Sequence, residues 1–412
     1  MAKLEFYYDF SCPYAYLAST QIERVAERTG AELVYRPFLL GGVFNALGPA
    51  APDMGRMAAP RARLNGLDMH RWAEHWQVPL EMPPTHPNRT VTALRAALAS
   101  ADPPRASHAL FRAYWAEGRD LSDPEVIRAA LDAAGLEGAH LVERAGDPGI
   151  KSELRERTDE ALSRGVFGAP ACFVDGELYW GQDRLDQVAR ALGLAPDEAH
   201  TLTLGDPPAA GAGRGRSFEF WYDFSSPFAY LASTQVEALA ARSGAELVWR
   251  PLLLGALFHD IGTPDVPLLS FPESKQRFLR ADMERFAQSY DVPFRWPSRF
   301  PMRTVTALRM ALAAADDQPA LGHALFRAYW ADDRDISDPA ELRAITAETG
   351  LDPALVDRAA EYKQPLFAAT HQAKTRGLCG APSFVVDGHV FWGQDRMPFV
   401  ERALAGWRPR VG

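Results

Sequence analysis

Cysteine is scarce in this chain. Three occur in 412 residues, Cys12, Cys172 and Cys379, and no two of them stand at a C-x-x-C or metal-ligand spacing. That spacing excludes a disulfide scaffold, a dithiol centre within one turn and a zinc module. Walker and EF-hand patterns are missing too. No apolar run has the length a bilayer demands. The opening MAKLEFYYDFSCPY is too polar and aromatic for a secretory leader. The expectation is a cytoplasmic protein with reduced thiols and no membrane partner. Positive charge is in deficit, 44 Lys and Arg against 53 Asp and Glu, for a net charge of −9. That balance argues against a general nucleic-acid binder. Apolar side chains are plentiful at 47%, enough to bury a core in more than one domain.

The chain repeats itself. RTVTALR begins at Arg89 and again at Arg303, HALFRAYW at His108 and His323, and WGQDR at Trp180 and Trp392. The spacing between copies drifts by only a few residues, so this is a duplicated domain with small insertions. Between the copies lies GDPPAAGAGRGR, Gly205 to Arg216, with the composition of a linker. The expected division is 1–204, a linker at 205–216, and 217–412.

Each copy opens on an aromatic run of strand character, KLEFYYDF or SFEFWYDF. A helical pattern follows. Tyr14, Leu17, Ala18, Ile22 and Val25 share one face and Gly30 ends it; Phe228, Leu231, Val236 and Leu239 do the same up to Gly244. A second strand comes next, AELVYRPFLL or AELVWRPLLL, then more than a hundred residues of helical character. The copy closes with GAP, a strand, an Asp-Gly turn (Asp175-Gly176, Asp387-Gly388), another strand and a helix. The order is βαβ, a helical insertion, then ββα, and its first half implies a parallel pair with a crossover helix.

One atom separates the two opening turns. DFSCPYAYLAS starts at Asp9 and DFSSPFAYLAS at Asp223, so Cys12 stands where the second copy has Ser226. Both occupy an N-cap position, with Pro13 or Pro227 at the first helical residue. A helix start offers free N–H groups and a partial positive charge. It stabilises a thiolate there, whether Cys12's own or that of a bound thiol. The same turn also serves as a plain cap. Ala169-Pro170 and Ala381-Pro382 precede strands and are candidates for cis peptides, which leave the alanine N–H and C=O free to pair with an extended peptide.

These residues together resemble a known family. The layout, the Ser/Cys-Pro helix start and the Pro before the third strand look like a thioredoxin fold with a helical insert. YDFSSPFAYLAS and GAPSFVVDGHVFWGQDRM resemble the 2-hydroxychromene-2-carboxylate isomerases, relatives of kappa-class glutathione transferases and DsbA-like oxidoreductases. The implied fold class is α/β: two tandem thioredoxin-like domains, each with a helical insertion, packed as an intramolecular pseudo-dimer.

The resemblance implies glutathione as cofactor and an aromatic-derived small molecule, an intermediate of aromatic-compound catabolism, as substrate. Ser226 would activate the glutathione thiol, with Cys12 in the equivalent place. The backbone at Ala169-Pro170 and Ala381-Pro382 would pair with the tripeptide. Gln182-Asp183 and Gln394-Asp395 would take its γ-glutamyl end. The family's K-x-x-aromatic-x-x-x-D pattern is met by Lys275, Phe278 and Asp282 in copy two, and by Arg61, Leu64 and Asp68 in copy one. A family Asn corresponds to Thr263 in copy two and Pro49 in copy one. Arg89 and Arg303 stand where another Asn is expected, which favours an anionic substrate.

Copy two is therefore the more complete site. The implied activity is glutathione-dependent isomerisation or transfer. A monothiol oxidoreductase centred on Cys12 and a non-catalytic glutathione-binding module stand as alternatives. Cys172 reads as a core thiol, Cys379 as a pocket residue without a role, His108 and His323 as helix packing, and Trp180 and Trp392 as pocket wall or core.

Overall fold

The computed structural model describes residues 1–50 and 57–410. In the first copy the central strand β1 (Lys3–Tyr8) pairs parallel with β2 (Glu32–Pro37) and antiparallel with β3 (Ala171–Val174). Strand β3 then pairs antiparallel with β4 (Glu177–Trp180), giving the order β2-β1-β3-β4. The second copy repeats this with β5 (Ser217–Tyr222), β6 (Glu246–Pro251), β7 (Ser383–Val386) and β8 (His389–Trp392), in the order β6-β5-β7-β8. The aromatic runs form the middle strands because both faces are covered: Phe6, Tyr7 and Tyr8, and Phe220, Trp221 and Tyr222, are buried. Both Asp-Gly turns are two-residue hairpin turns with positive φ at each residue (49° and 85°, 47° and 84°).

The opening helix is not continuous as its periodicity suggests. It runs Pro13–Ser19, stops, and resumes as Ile22–Thr29; the second copy breaks the same way between Pro227–Ser233 and Val236–Ser243. The repeated Ser-Thr pair explains the break. Ser19 and Thr20 donate their hydroxyls to the carbonyls of Tyr16 and Leu17 at 2.7 and 2.8 Å, and Ser233 and Thr234 do likewise. These side chains compete with the helical ladder. Gly30 and Gly244 close the second segments in the left-handed conformation expected of them.

The segment 205–216 is docked rather than loose. Gly211 N–H donates to the Arg242 carbonyl at 2.8 Å and Gly213 N–H to the Ser243 carbonyl at 2.7 Å. A Cβ on Gly213 would stand 3.0 Å from that same Ser243 oxygen, so a small residue lets the chain lie along the second copy. Among the described residues no helix is long and apolar enough to cross a membrane.

The two copies meet through one long helix of each insertion. Helix Ala59–His75 of the first copy lies on β8, where Arg71 covers the Phe391 ring at 4.3 Å and donates to the Val390 carbonyl at 2.7 Å. Helix Glu273–Ser289 of the second lies on β4, with Arg285 over Tyr179 at 4.3 Å and donating to the Leu178 carbonyl at 2.9 Å. Each insertion thus covers the sheet of the other copy. Trp72 against Phe399, with ring centroids 4.8 Å apart, seals the contact.

Candidate active site

Cys12 and Ser226 are N-caps with extended backbone, each followed by proline at the first helical position. Ser226 Oγ accepts the Ala229 N–H at 3.2 Å and donates its proton to the Ala381 carbonyl at 2.7 Å. Cys12 Sγ donates to the Ala169 carbonyl at 3.0 Å and makes no capping bond. The sequence reading left these carbonyls free for a ligand. Here the turn's own side chains hold them, because cap and proline loop sit face to face. No acceptor is paired with the Ala169 or Ala381 N–H among the described residues. Both Ala-Pro bonds are cis.

Burial pushes the Cys12 thiol up to about 12, although the N–H groups of Ala15 and Tyr14 pull the other way. Burial does the same to Cys172 and Cys379. Cys172 is a core thiol, as expected, and Cys379 lines the cavity described below. Native thiols should therefore be alkylated by iodoacetamide at pH 8 roughly a thousandfold more slowly than an exposed cysteine, because the thiolate is the nucleophile. Rapid labelling of Cys12, read by mass spectrometry, would contradict this.

Sterics explain the glycine in each GAP loop. A Cβ at Gly168 or Gly380 would lie 2.7 or 2.6 Å from the indole nitrogen of Trp180 or Trp392. The indole packs flat on the loop and walls the site. Gly181 and Gly393 take φ of 110° and 112°, and a Cβ there would strike the Asp183 or Asp395 carboxylate at 2.3 or 2.5 Å. The W-G-Q-D order thus bends an Asp back toward the proline loop.

Those aspartates belong to a cluster shared by the copies. Arg184 reaches from the first copy to Asp282 on the second copy's insertion (2.9 and 3.0 Å), to Asp395 (2.9 Å) and to Asp183 (3.3 Å). Arg396 answers from the second copy to Asp68 (2.7 and 2.9 Å), Asp183 (2.7 Å) and Asp395 (3.0 Å). Burial opposes the charge on both guanidiniums, but the carboxylates outweigh it and hold them well above their usual range. Four carboxylates face two guanidiniums, so the cluster has carboxylate in excess. The two arginines went unnoticed in the sequence, although each ends a repeated WGQDR.

Arg61 and Lys275 each face the other copy. Lys275, on the second copy's insertion, lies over Trp180 (5.1 Å) and Phe167 (5.9 Å) of the first copy and over Phe271 (3.9 Å). Arg61 lies over Trp392 of the second copy at 5.2 Å. The crossing of the two long helices causes this: Lys275 serves the Cys12 side and Arg61 the Ser226 side. Lys275 is buried and pairs with no carboxylate among the described residues, and burial, then the neighbouring Arg61, bring its ammonium down to about 7.

Most of these residues meet at one cavity of about 1160 Å³. Cys12, Ser226, Ala169, Ala381, Pro382, Gln182, Asp183, Gln394, Asp395, Arg61, Lys275 and Thr263 border it. Pro170 lies just behind, accepting from Gly181 N–H. Gln182 and Gln394 are buried, each with an unpaired amide nitrogen. Arg89 lines the cavity, whereas among the described residues its counterpart Arg303 does not. The sequence had treated the two alike. Pro49 is exposed and outside it. His108 and His323 pair with Glu23 and Glu237 at 2.9 and 3.0 Å near the surface, away from the site.

A four-stranded sheet with a Pro-led helix start facing a proline loop, twice over, defines the class. The family model of the DSBA-like thioredoxin domain matches residues 3–193 and 218–405, and the chain belongs to that family. Its relatives include the 2-hydroxychromene-2-carboxylate isomerase of Sphingobium xenophagum, 34% identical over 186 residues, which are 44% of this chain and 94% of that protein. Glutathione S-transferase kappa 1 of Homo sapiens is 29% identical over 210 residues, 46% of this chain and 90% of that one. A solved 2-hydroxychromene-2-carboxylate isomerase, 26% identical, covers 46% of this chain and 94% of its own, with a TM-score of 0.42. Each relative corresponds to a single copy.

Proposed function

We propose that the chain is a glutathione-dependent enzyme that isomerises, or conjugates, a small aromatic-derived molecule. One observation carries this: a single cavity gathers groups complementary to that tripeptide. Glutathione bears an ammonium, two carboxylates and a thiol. The cavity offers an excess of carboxylate around Asp183 and Asp395, the unpaired amides of Gln182 and Gln394, the cations Arg61 and Lys275, and two capped helix starts.

When bound, glutathione supplies a thiolate that adds to a conjugated or halogenated carbon and, in isomerisation, leaves again unchanged. The Ser226 hydroxyl turns its proton from the Ala381 carbonyl toward that sulphur, and the N–H groups of the following turn add their partial positive charge. Asp395 holds the ammonium and Gln394 a carboxylate, while Arg61 completes this site from the other copy. Cys12, Gln182, Asp183 and Lys275 make the second site. The protonated, buried Cys12 gives no support to monothiol exchange.

Calorimetry with S-methylglutathione, whose sulphur cannot titrate, should count two sites per chain; absence of binding would end this proposal. Binding should also take up protons. Lys275 is largely neutral at pH 8, and an arriving carboxylate favours its charged form, so affinity at the Cys12 side falls as pH rises above about 7. Lys275→Met should abolish the uptake seen across buffers of different ionisation enthalpy. Uptake that persists would assign the proton elsewhere.

A further inference from the structure

The two sites share a scaffold but differ on one wall. Thr90 donates to Asp9 at 2.7 Å and Thr304 to Asp223 at 2.7 Å, tying the preceding loop to the capped turn in both copies. Trp115 and Trp330 donate to the carbonyls of Phe10 and Phe224, each at 2.8 Å, two residues before Cys12 or Ser226. On this common frame the first copy carries His86 and Asn88 where the second has Phe300 and Met302. The His86 ring packs against Trp115 at 5.2 Å, and Phe300 takes the same place against Trp330 at 6.1 Å. His86, Asn88 and Phe300 line the cavity.

The first copy's wall is arranged to donate. Tyr114 is buried, and its hydroxyl accepts the Asn88 backbone N–H at 2.9 Å. His86 Nδ1 lies 2.9 Å from the same oxygen, and a phenol that donates to this nitrogen satisfies both groups. With Nδ1 accepting, a neutral ring carries its proton on Nε2, the nitrogen left without a protein partner among the described residues. Burial lowers the His86 pKa and so favours the neutral ring. Asn88 adds a side-chain amide nitrogen that is buried and unpaired. In the second copy the Tyr329 hydroxyl donates to the Arg299 carbonyl instead, and the wall is apolar.

Building on the glutathione reading, we propose that His86, with Asn88, is an oxyanion-stabilising pair for a carbonyl-bearing second substrate on the Cys12 side. The Ser226 side has no such pair and takes apolar electrophiles. When a thiolate adds to a conjugated enone, the sulphur–carbon bond forms, the π pair moves onto the carbonyl oxygen, and the enolate is later protonated at carbon from water. His86 Nε2–H and the Asn88 amide hold that oxygen without surrendering a proton.

A readout without glutathione tests the wall directly. The absorption band of dimethylaminobenzylideneacetone, a push–pull enone, moves to longer wavelength when its carbonyl accepts hydrogen bonds. The chain should shift it, the His86→Phe/Asn88→Met variant should not, and adding Phe300→His/Met302→Asn to that variant should restore the shift. Both replacement pairs are natural to the other copy, so folding is preserved. With glutathione, His86→Phe should lower addition to benzylideneacetone about tenfold and leave chlorodinitrobenzene conjugation unchanged. Loss of the shift together with the selective rate loss supports the pair. A shift that survives the double variant, no shift in the parent chain, or equal losses for both electrophiles overturns it. If S-methylglutathione still binds in those cases, the glutathione proposal stands and only the wall assignment falls.

Discussion

Ser226→Ala should lower glutathione-dependent conjugation of chlorodinitrobenzene by roughly a hundredfold, while Cys12→Ala leaves at least about half of it. The hydroxyl is buried and already donates, at 2.7 Å, to the Ala381 carbonyl. Turning that donation onto a thiolate makes a charge-assisted bond in a dry site, worth up to about 3 kcal/mol. Cys12 offers a weaker donor, and its wall suits another class of electrophile. Alanine also removes the cap on Ala229 N–H, costing about 1 kcal/mol of stability. Ser226→Cys separates the two effects, because the first copy shows that a cysteine fits this turn; it should fold and still lose most of the rate. A silent Ser226→Ala with an inactive Cys12→Ala would move the chemistry to the other copy.

Arg396→Ala should destabilise the chain by about 3–5 kcal/mol in urea unfolding. The guanidinium bonds Asp68 with both ends of its fork and also holds Asp183, and all three side chains are largely covered where they line the cavity. Removing it leaves Asp68 without its partner in a largely covered site and Asp183 with Arg184 alone. Burial already pushes the Asp68 carboxyl above its usual range against the pull of Arg396. Without Arg396, Asp68 should take up a proton nearer neutrality, so the deficit should shrink as pH falls toward 5. An Arg396→Met variant losing as little as a surface arginine would show that the cluster contributes nothing to joining the copies.

Much of the fold was legible because local chemistry announces it. The repeated aromatic runs, the Asp-Gly turns and the glycine stops each act within a few residues. The helix break at Thr20 was missed because hydrophobic spacing carries through it. The stop comes from hydroxyls bonding back to the ladder, a short-range effect that apolar periodicity does not register. Cap, proline loop and Gln-Asp pair were found as motifs, and the structure brings them to one cavity.

The pairing of parts was not legible. The motif that marks Lys275 and Arg61 says nothing of which copy they face, and each faces the other copy's tryptophan. Arg184 and Arg396 drew no notice in the sequence, because the aspartates that meet them lie far along the chain. The sequence alone determined two thioredoxin-like units and the cap and proline residues of each turn, because those depend on neighbours along the chain. Only tertiary structure decided which cation serves which turn, whether Cys12 is protonated, and that both turns open into one cavity. Those outcomes follow from burial and from charges brought together across hundreds of residues.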